Sequence, residues 1–248
     1  MLNIIKVLVK SSFRVGMFLV LFFYFAPKTP LLAYDVIPVK RGGELFGSIK
    51  FMGEPPPNRS HQVLNNPEFC GSAVLEETTL VNPENHGLKN VVISIEKIER
   101  GKKPLLSSLV LENRHCHFVP HVQMGMVGSS YEIRNSDPVL HNTHLYTESV
   151  TLVNVAMPAS GNNIRKTIVK KGIINAKCDA HKFMQGWIFV SDNPYGAVTD
   201  QDGNYRISDI PPGKYKIGIW HESLPLQEKE VVISPEKETE LSIKFPVR

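Results

Sequence analysis

The sequence predicts an all-β protein: two β-sandwiches of unequal size behind an N-terminal leader. Three observations predict it. Short apolar or alternating runs recur throughout the chain after residue 40. Clusters rich in Pro, Gly, Asn and Asp separate them, as in Gly53-Glu54-Pro55-Pro56-Pro57, Asp192-Asn193-Pro194 and Pro211-Pro212-Gly213. No long helical periodicity and no internal repeat intervenes. Many short strands with turn signals between them are the pattern of sandwiches and barrels.

At the N-terminus, Lys6, Lys10 and Arg14 lead into an apolar run from Val15 to Ala26, which Pro27, Lys28 and Pro30 break before Leu31-Leu32-Ala33. A basic start, an apolar middle too short to span a bilayer and a small-residue end read as a secretory signal peptide over residues 1–33. The expected protein is therefore exported, periplasmic or extracellular, with no membrane contact once the leader is cleaved; a leader retained as a membrane anchor is the competing reading. The leader also accounts for the charge. The chain has 248 residues and a formal net charge of +4, and the leader holds four basic and no acidic residues. The rest of the chain is neutral, which removes the electrostatic reason to expect a nucleic-acid partner. With 42% hydrophobic residues, 21% charged residues and three cysteines, the composition excludes collagen, low-complexity disorder and a disulfide-dense mini-protein.

Strands are expected at Glu44 to Met52, Asn90 to Ile98, Ser129 to Arg134, Ile164 to Val169, Ile173 to Lys177 and Trp187 to Val190. Four more are expected at Asn204 to Ile207, Tyr215 to Trp220, Glu230 to Ile233 and Glu240 to Phe245. Residues 53–87 and 99–108 read as loops, the first long enough to call for a functional or tethering reason. This divides the chain into a β segment at 42–98, a central domain at 105–192 and a C-terminal domain at 194–248.

The most specific chemistry lies in Cys178-Asp179-Ala180-His181-Lys182-Phe183-Met184. This spacing presents a thiolate, an imidazole and a thioether on one short loop between strands. A thiolate, two imidazoles and a weak axial thioether describe a type 1 copper site. The second imidazole must come from elsewhere, and Pro138-Val139-Leu140-His141-Asn142-Thr143-His144 offers it. Residues 121–192 resemble the cupredoxin family, amicyanins in particular. The likeness rests on the Gly128 to Asn135 strand, on Pro138 to His144, on Lys171-Gly172 leading into the Cys loop, and on Gly186 after it. The resemblance implies a Greek-key cupredoxin sandwich binding one copper ion. His141, Cys178 and His181 would be equatorial ligands, Met184 the axial one, and Asn142 a brace for the Cys loop. It further implies outer-sphere electron transfer with a redox protein partner, through His181 at a solvent edge rimmed by Ala180, Phe183, Pro138 and Met157-Pro158. With every position filled by protein, no place is left for substrate, so the chain is not expected to be an enzyme.

His115-Cys116-His117-Phe118-Val119-Pro120-His121 is similar to a multicopper-oxidase motif, but nine histidines are too few for such an enzyme. If Cys178 is the copper thiolate, parity pairs Cys70 with Cys116 in a disulfide that staples the 53–87 loop to the copper domain. His115, His117 and His121 remain candidates for a second metal ion, since alternate strand residues share a face. Together with the Met residues, they would serve a copper delivery or storage protein. An adhesion or scaffold module with an idle site is the other alternative.

At the C-terminus, Thr199 to Ile207 and Ile210 to Tyr215 read as strand, Asp-Gly turn, strand, Pro-Gly turn, strand. The segment resembles the carboxypeptidase regulatory-like, transthyretin-like sandwich. It is too short for the whole of one, and the missing strands resemble Gly43 to Pro56 and Leu88 to Glu96. Either the copper domain is inserted into this second sandwich, or those strands belong to an enlarged cupredoxin and leave a small appended β-domain; contacts of Phe51 or Val92 with the 204–220 strands would support insertion, and their absence would sink it. Asp200, Asp202 and Asn204 lack the Glu that a calcium loop requires at its twelfth position.

Overall fold

The computed structural model describes residues 34–148, 150–159 and 161–246. The expected leader lies outside them. The described chain is nearly all β, its one helix being the single turn Pro67–Cys70, and no described helix is long and apolar enough to cross a membrane.

Two pairs of sheets enclose two separate apolar cores. In the first pair, a four-stranded sheet runs Ile164–Thr167, Ser130–Asn135, Ser108–Arg114, His117–Val119. It faces a five-stranded sheet ordered Val150–Met157, His141–Thr147, Gly172–Lys177, Gln185–Ser191, Val122–Met126. Leu111, Phe118, Ile133, Leu145, Ile174 and Ile188 fill the space between, together with Cys178 and Met184. In the second pair, Gly196–Val198, Val92–Glu96, Gly213–His221 and Leu224–Ile233 form one sheet, and Asn204–Ile210, Gly43–Phe51 and Glu238–Glu240 the other. Leu45, Ile49, Ile93, Ile95, Ile217, Ile219 and Phe245 build its core.

The second sandwich is discontinuous in sequence. Val92 pairs with Trp220 and Ser48 with Asn204, while Phe51 shares a core with Tyr205, Ile207 and Ile219. The whole first sandwich therefore lies between strands that are neighbours in the second. The two are joined at a polar contact. Glu222, in the turn after Gly213–His221, accepts hydrogen bonds from His121 Nε2 (2.5 Å) and Trp187 Nε1 (2.7 Å), and Trp220 packs edge-on against Trp187.

Several strands that position the site escape a search for apolar runs. In His141–Thr147 the inward positions are His141, Thr143 and Leu145, all fully buried, so the alternation is real but two of its three members are polar. Ser108–Arg114 points Leu111 and Asn113 inward, again mixing polar with apolar. The 53–87 segment is no bare loop either. It carries the hairpin Ser60–Gln62 with Ala73–Leu75, closed over the Pro67–Cys70 turn.

Candidate metal centre

Strand pairing builds the site. Lys177 pairs with His144 on one side and with Gln185 on the other, so the loop Cys178–Met184 is the hairpin connection between two core strands, beside the start of His141–Thr147. His141 heads that strand with its ring fully buried.

The three side chains meet. Cys178 Sγ lies 3.7 Å from His181 Nδ1 and 4.0 Å from His141 Nδ1, and the two rings are tilted with centroids 4.8 Å apart. These spacings are too long for strong hydrogen bonds. An ion with N and S bonds near 2.0–2.3 Å at trigonal angles separates such atoms by ~3.8 Å. The donor set therefore fits a soft or borderline ion held between one sulfur and two nitrogens. Met184, 2% exposed, donates its backbone N–H to His181 O (2.9 Å), and its side chain belongs to the same buried cluster as Cys178.

The sulfur is further prepared by two backbone donors, Asn142 N–H and His181 N–H, each at 3.3 Å. The Asn142 side chain ties the Cys loop to its neighbours. Its Oδ1 accepts from Asp179 N–H (3.3 Å), and its Nδ2 donates to Asn154 Oδ1 (2.7 Å). Burial pushes the Cys178 thiol up, against the pull of these N–H groups, and holds both imidazoles below their ordinary range. The histidines are thus neutral near pH 7, the state a metal ligand needs.

Sequence reasoning missed Asp137. This carboxylate is 2% exposed and takes three donors: His115 N–H (2.6 Å), Cys116 N–H (2.9 Å) and His141 Nε2–H (2.8 Å). The last bond puts the ring proton on Nε2 and turns the Nδ1 lone pair toward Cys178. The first two support a strained turn. His115 and Cys116 connect Ser108–Arg114 to His117–Val119 as a two-residue hairpin, both at positive φ, where non-Gly residues are uncommon. The available signal was the Asn135-Ser136-Asp137-Pro138 stretch, which reads as an ordinary turn.

The environment of His181 overturns its expected role as a solvent edge. It is 2% exposed. Cys70 and Cys116 form a disulfide, and Cys70 Sγ sits 3.7 Å from His181 Nε2, while Asn65 Nδ2 donates to Ala180 O at 2.6 Å. The 53–87 segment thus covers the ligand edge. Met157 of the expected rim is buried as well, 1% exposed, whereas Pro138 and Leu140 lie at the surface.

The three histidines considered for a second ion line one pocket, but their donor atoms do not converge. Because His115 and Cys116 form a turn, the strand alternation that would align His115, His117 and His121 is broken. His117 Nδ1 donates to His115 O (2.7 Å), and His121 lies between Glu222 and Glu77. Among the described residues, the groups of three or more His, Cys, Asp or Glu side chains with converging donor atoms are His141–Cys178–His181 and Cys116–Asp137–His141.

No family model matches this chain, and no curated protein matches it. Among solved structures it is similar to a reduced amicyanin variant, at 20% identity over 34% of this chain and 82% of that one, TM-score 0.31. A copper-containing nitrite reductase from Thermus scotoductus is similar at 23% identity over 36% of this chain and 23% of that one, TM-score 0.30. A purple cupredoxin from Nitrosopumilus maritimus is similar at 19% identity over 34% of this chain and all of that one, TM-score 0.30.

Proposed function

We propose that this chain is an exported type 1 copper protein that carries single electrons to or from a redox protein partner, and that it is not an enzyme. One observation carries the reading: two buried imidazoles and one buried cysteine bring their donor atoms together at ion-holding distances. His141 and His181 would hold copper through Nδ1, Cys178 through Sγ, and Met184 would complete the set. Copper bound there supplies a one-electron couple. The protein's part is to keep the ligands in place in both oxidation states: Asp137 fixes the His141 ring, Asn142 ties the Cys loop, and the surrounding core excludes water. The second sandwich, in the same reading, is a carboxypeptidase regulatory-like fold interrupted by the copper domain and serves as its support. The delivery alternative drew on His115, His117, His121 and the Met residues, and the donor atoms of those three histidines do not converge.

The test is the visible spectrum after adding Cu(II). A thiolate-to-copper charge-transfer band is expected, lost in Cys178→Ser and kept in Cys116→Ser. A chain that binds copper without such a band, or a band that survives Cys178→Ser, would overturn the proposal.

A further inference from the structure

The segment over His181 has one covalent tether, while its other anchors, among them Asn82 Nδ2 to Asp202 Oδ1 (2.7 Å) and Thr79 Oγ1 with Ser223 Oγ (3.3 Å), lie C-terminal to its tip. Its hairpin buries Val63 and Val74, but the tip between them is largely exposed, with Leu64 at 81% and Phe69 at 36%. The tip reaches the Cys loop through the Asn65–Ala180 hydrogen bond and the Cys70 contact with His181 Nε2, and it is tethered by the Cys70–Cys116 bond. The two sulfurs differ in access. Cys116 is fully buried and fixed in its turn by Asp137, whereas Cys70 is only half-buried. A thiol arriving from solvent therefore meets Cys70.

We propose that the Cys70–Cys116 bond is a thiol-exchange site for a dithiol reductant, and that opening it uncovers the outer edge of His181. A thiolate of the dithiol attacks Cys70 Sγ. The Cys70–Cys116 bond breaks, and Cys116 leaves as a thiolate and takes up a proton. The second thiol of the reagent then attacks the mixed disulfide, releasing Cys70 as a thiol and the reagent as its own disulfide. Two electrons and two protons pass from the dithiol to the chain, and no other reactant is needed. Cys116 stays on its Asp137-supported turn, so the tip carrying Asn65 and Cys70 is the part that lifts. The closed bond shields His181 from a partner, and the open one presents it. The opening belongs to the polypeptide alone. That the uncovered edge leads to an electron-carrying copper ion rests on the function proposed above.

The full chain, metal-free, is treated with dithiothreitol under native conditions. Free thiols are counted by iodoacetamide labelling and mass spectrometry, and histidine access by the rate of diethyl pyrocarbonate modification. Reduction is expected to add two thiols, mapped to Cys70 and Cys116. His181 labelling is expected to rise about tenfold or more as the tip opens locally, with exposed His86 and buried His221 unchanged and the effect reversed on reoxidation. Cys70→Ser should show the fast His181 rate without reductant. Thiol release with an unchanged His181 rate would overturn the proposal, and so would a bond that yields to the dithiol only in denaturant. Both readouts are taken without copper, so they stand apart from the outcome of the spectral test.

Discussion

Replacing Asp137 with Asn tests whether the buried carboxylate serves the metal centre or only the turn beside it. The side chain keeps its shape and loses its charge. Asp137 Oδ2 accepts from both Cys116 N–H and His141 Nε2–H, and Oδ1 from His115 N–H. An amide does best by leaving its oxygen on the pair and turning its NH2 group toward His115 N–H, which loses one acceptor and sets two donors face to face. One buried unsatisfied donor costs about 1–3 kcal/mol. At about 2–4 °C per kcal/mol for a cooperative unit of this size, the metal-free Tm should fall by roughly 2–12 °C. The His141 bond survives but becomes a neutral one, about half as strong as the charge-assisted bond it replaces. A weakened ligand support of this kind lowers metal affinity by about 10–100-fold. Thermal denaturation of the metal-free chain reads the first effect, and a Cu(II) titration against a competing chelator reads the second. A lowered Tm with unchanged copper affinity would refute the reasoning, because Asp137 would then support the His115–Cys116 turn without orienting a ligand.

Three further outcomes are expected from other parts of the fold. Burial holds His221 down to about 4, well under its ordinary 6.5, so between these values the unfolded chain binds the extra proton. Stability from this group is full above about pH 6.5 and should fall by about 3 kcal/mol as pH drops to 4; denaturant midpoints for His221→Gln should show a correspondingly flatter pH dependence, and an identical slope would exclude the group. Leu145→Ala empties a fully buried position beside the candidate ligands and should cost about 2–5 kcal/mol, read as a shifted urea midpoint. Gly203 has φ +77°, and a Cβ there would lie 2.2 Å from Ile49 O, so Gly203→Ala should destabilise the second sandwich by more than the ~1 kcal/mol that left-handed strain alone costs, again read by urea unfolding.

The all-β class was legible because strands buried on one face write their alternation in apolar residues. Asn204–Ile210 is such a strand, with Tyr205 and Ile207 buried between exposed Asn204, Arg206 and Ser208. The hidden ones were those whose inward positions are polar: His141 and Thr143 in one, Asn113 in another. Polar side chains at core positions erase the periodic signal where the site is built. The ligand loop was readable for the opposite reason, since Cys178, His181 and Met184 stand on one loop at fixed spacing and need no knowledge of the fold. Asp137 and the cover over His181 were not readable, because both are facts of register. Nothing in Asn135-Ser136-Asp137 says that its carboxylate reaches a turn some twenty residues upstream. Cysteine parity could pair Cys70 with Cys116, but it could not say that the bond would lie against a ligand.

These two unreadable features belong to one structure. The outer nitrogen of His141 rests on Asp137, and that of His181 rests on Cys70. Asp137 holds the backbone of Cys116, which is bonded to Cys70. The contacts therefore close a circuit: Cys178 to His141, to Asp137, to Cys116, to Cys70, to His181 and back to Cys178. A ligand set gripped this way on its outer side resists the ring rotations that would spread its donors, which favours a centre of constant geometry. The circuit also has one link of a different kind. Every other joint is a non-covalent contact between neighbouring groups, whereas Cys116 and Cys70 are joined by a sulfur–sulfur bond, the kind of link that thiol exchange opens. The chain has thus placed its disulfide between the supports of its two candidate histidine ligands, where, on the thiol-exchange proposal, breaking it releases His181 and leaves His141 held.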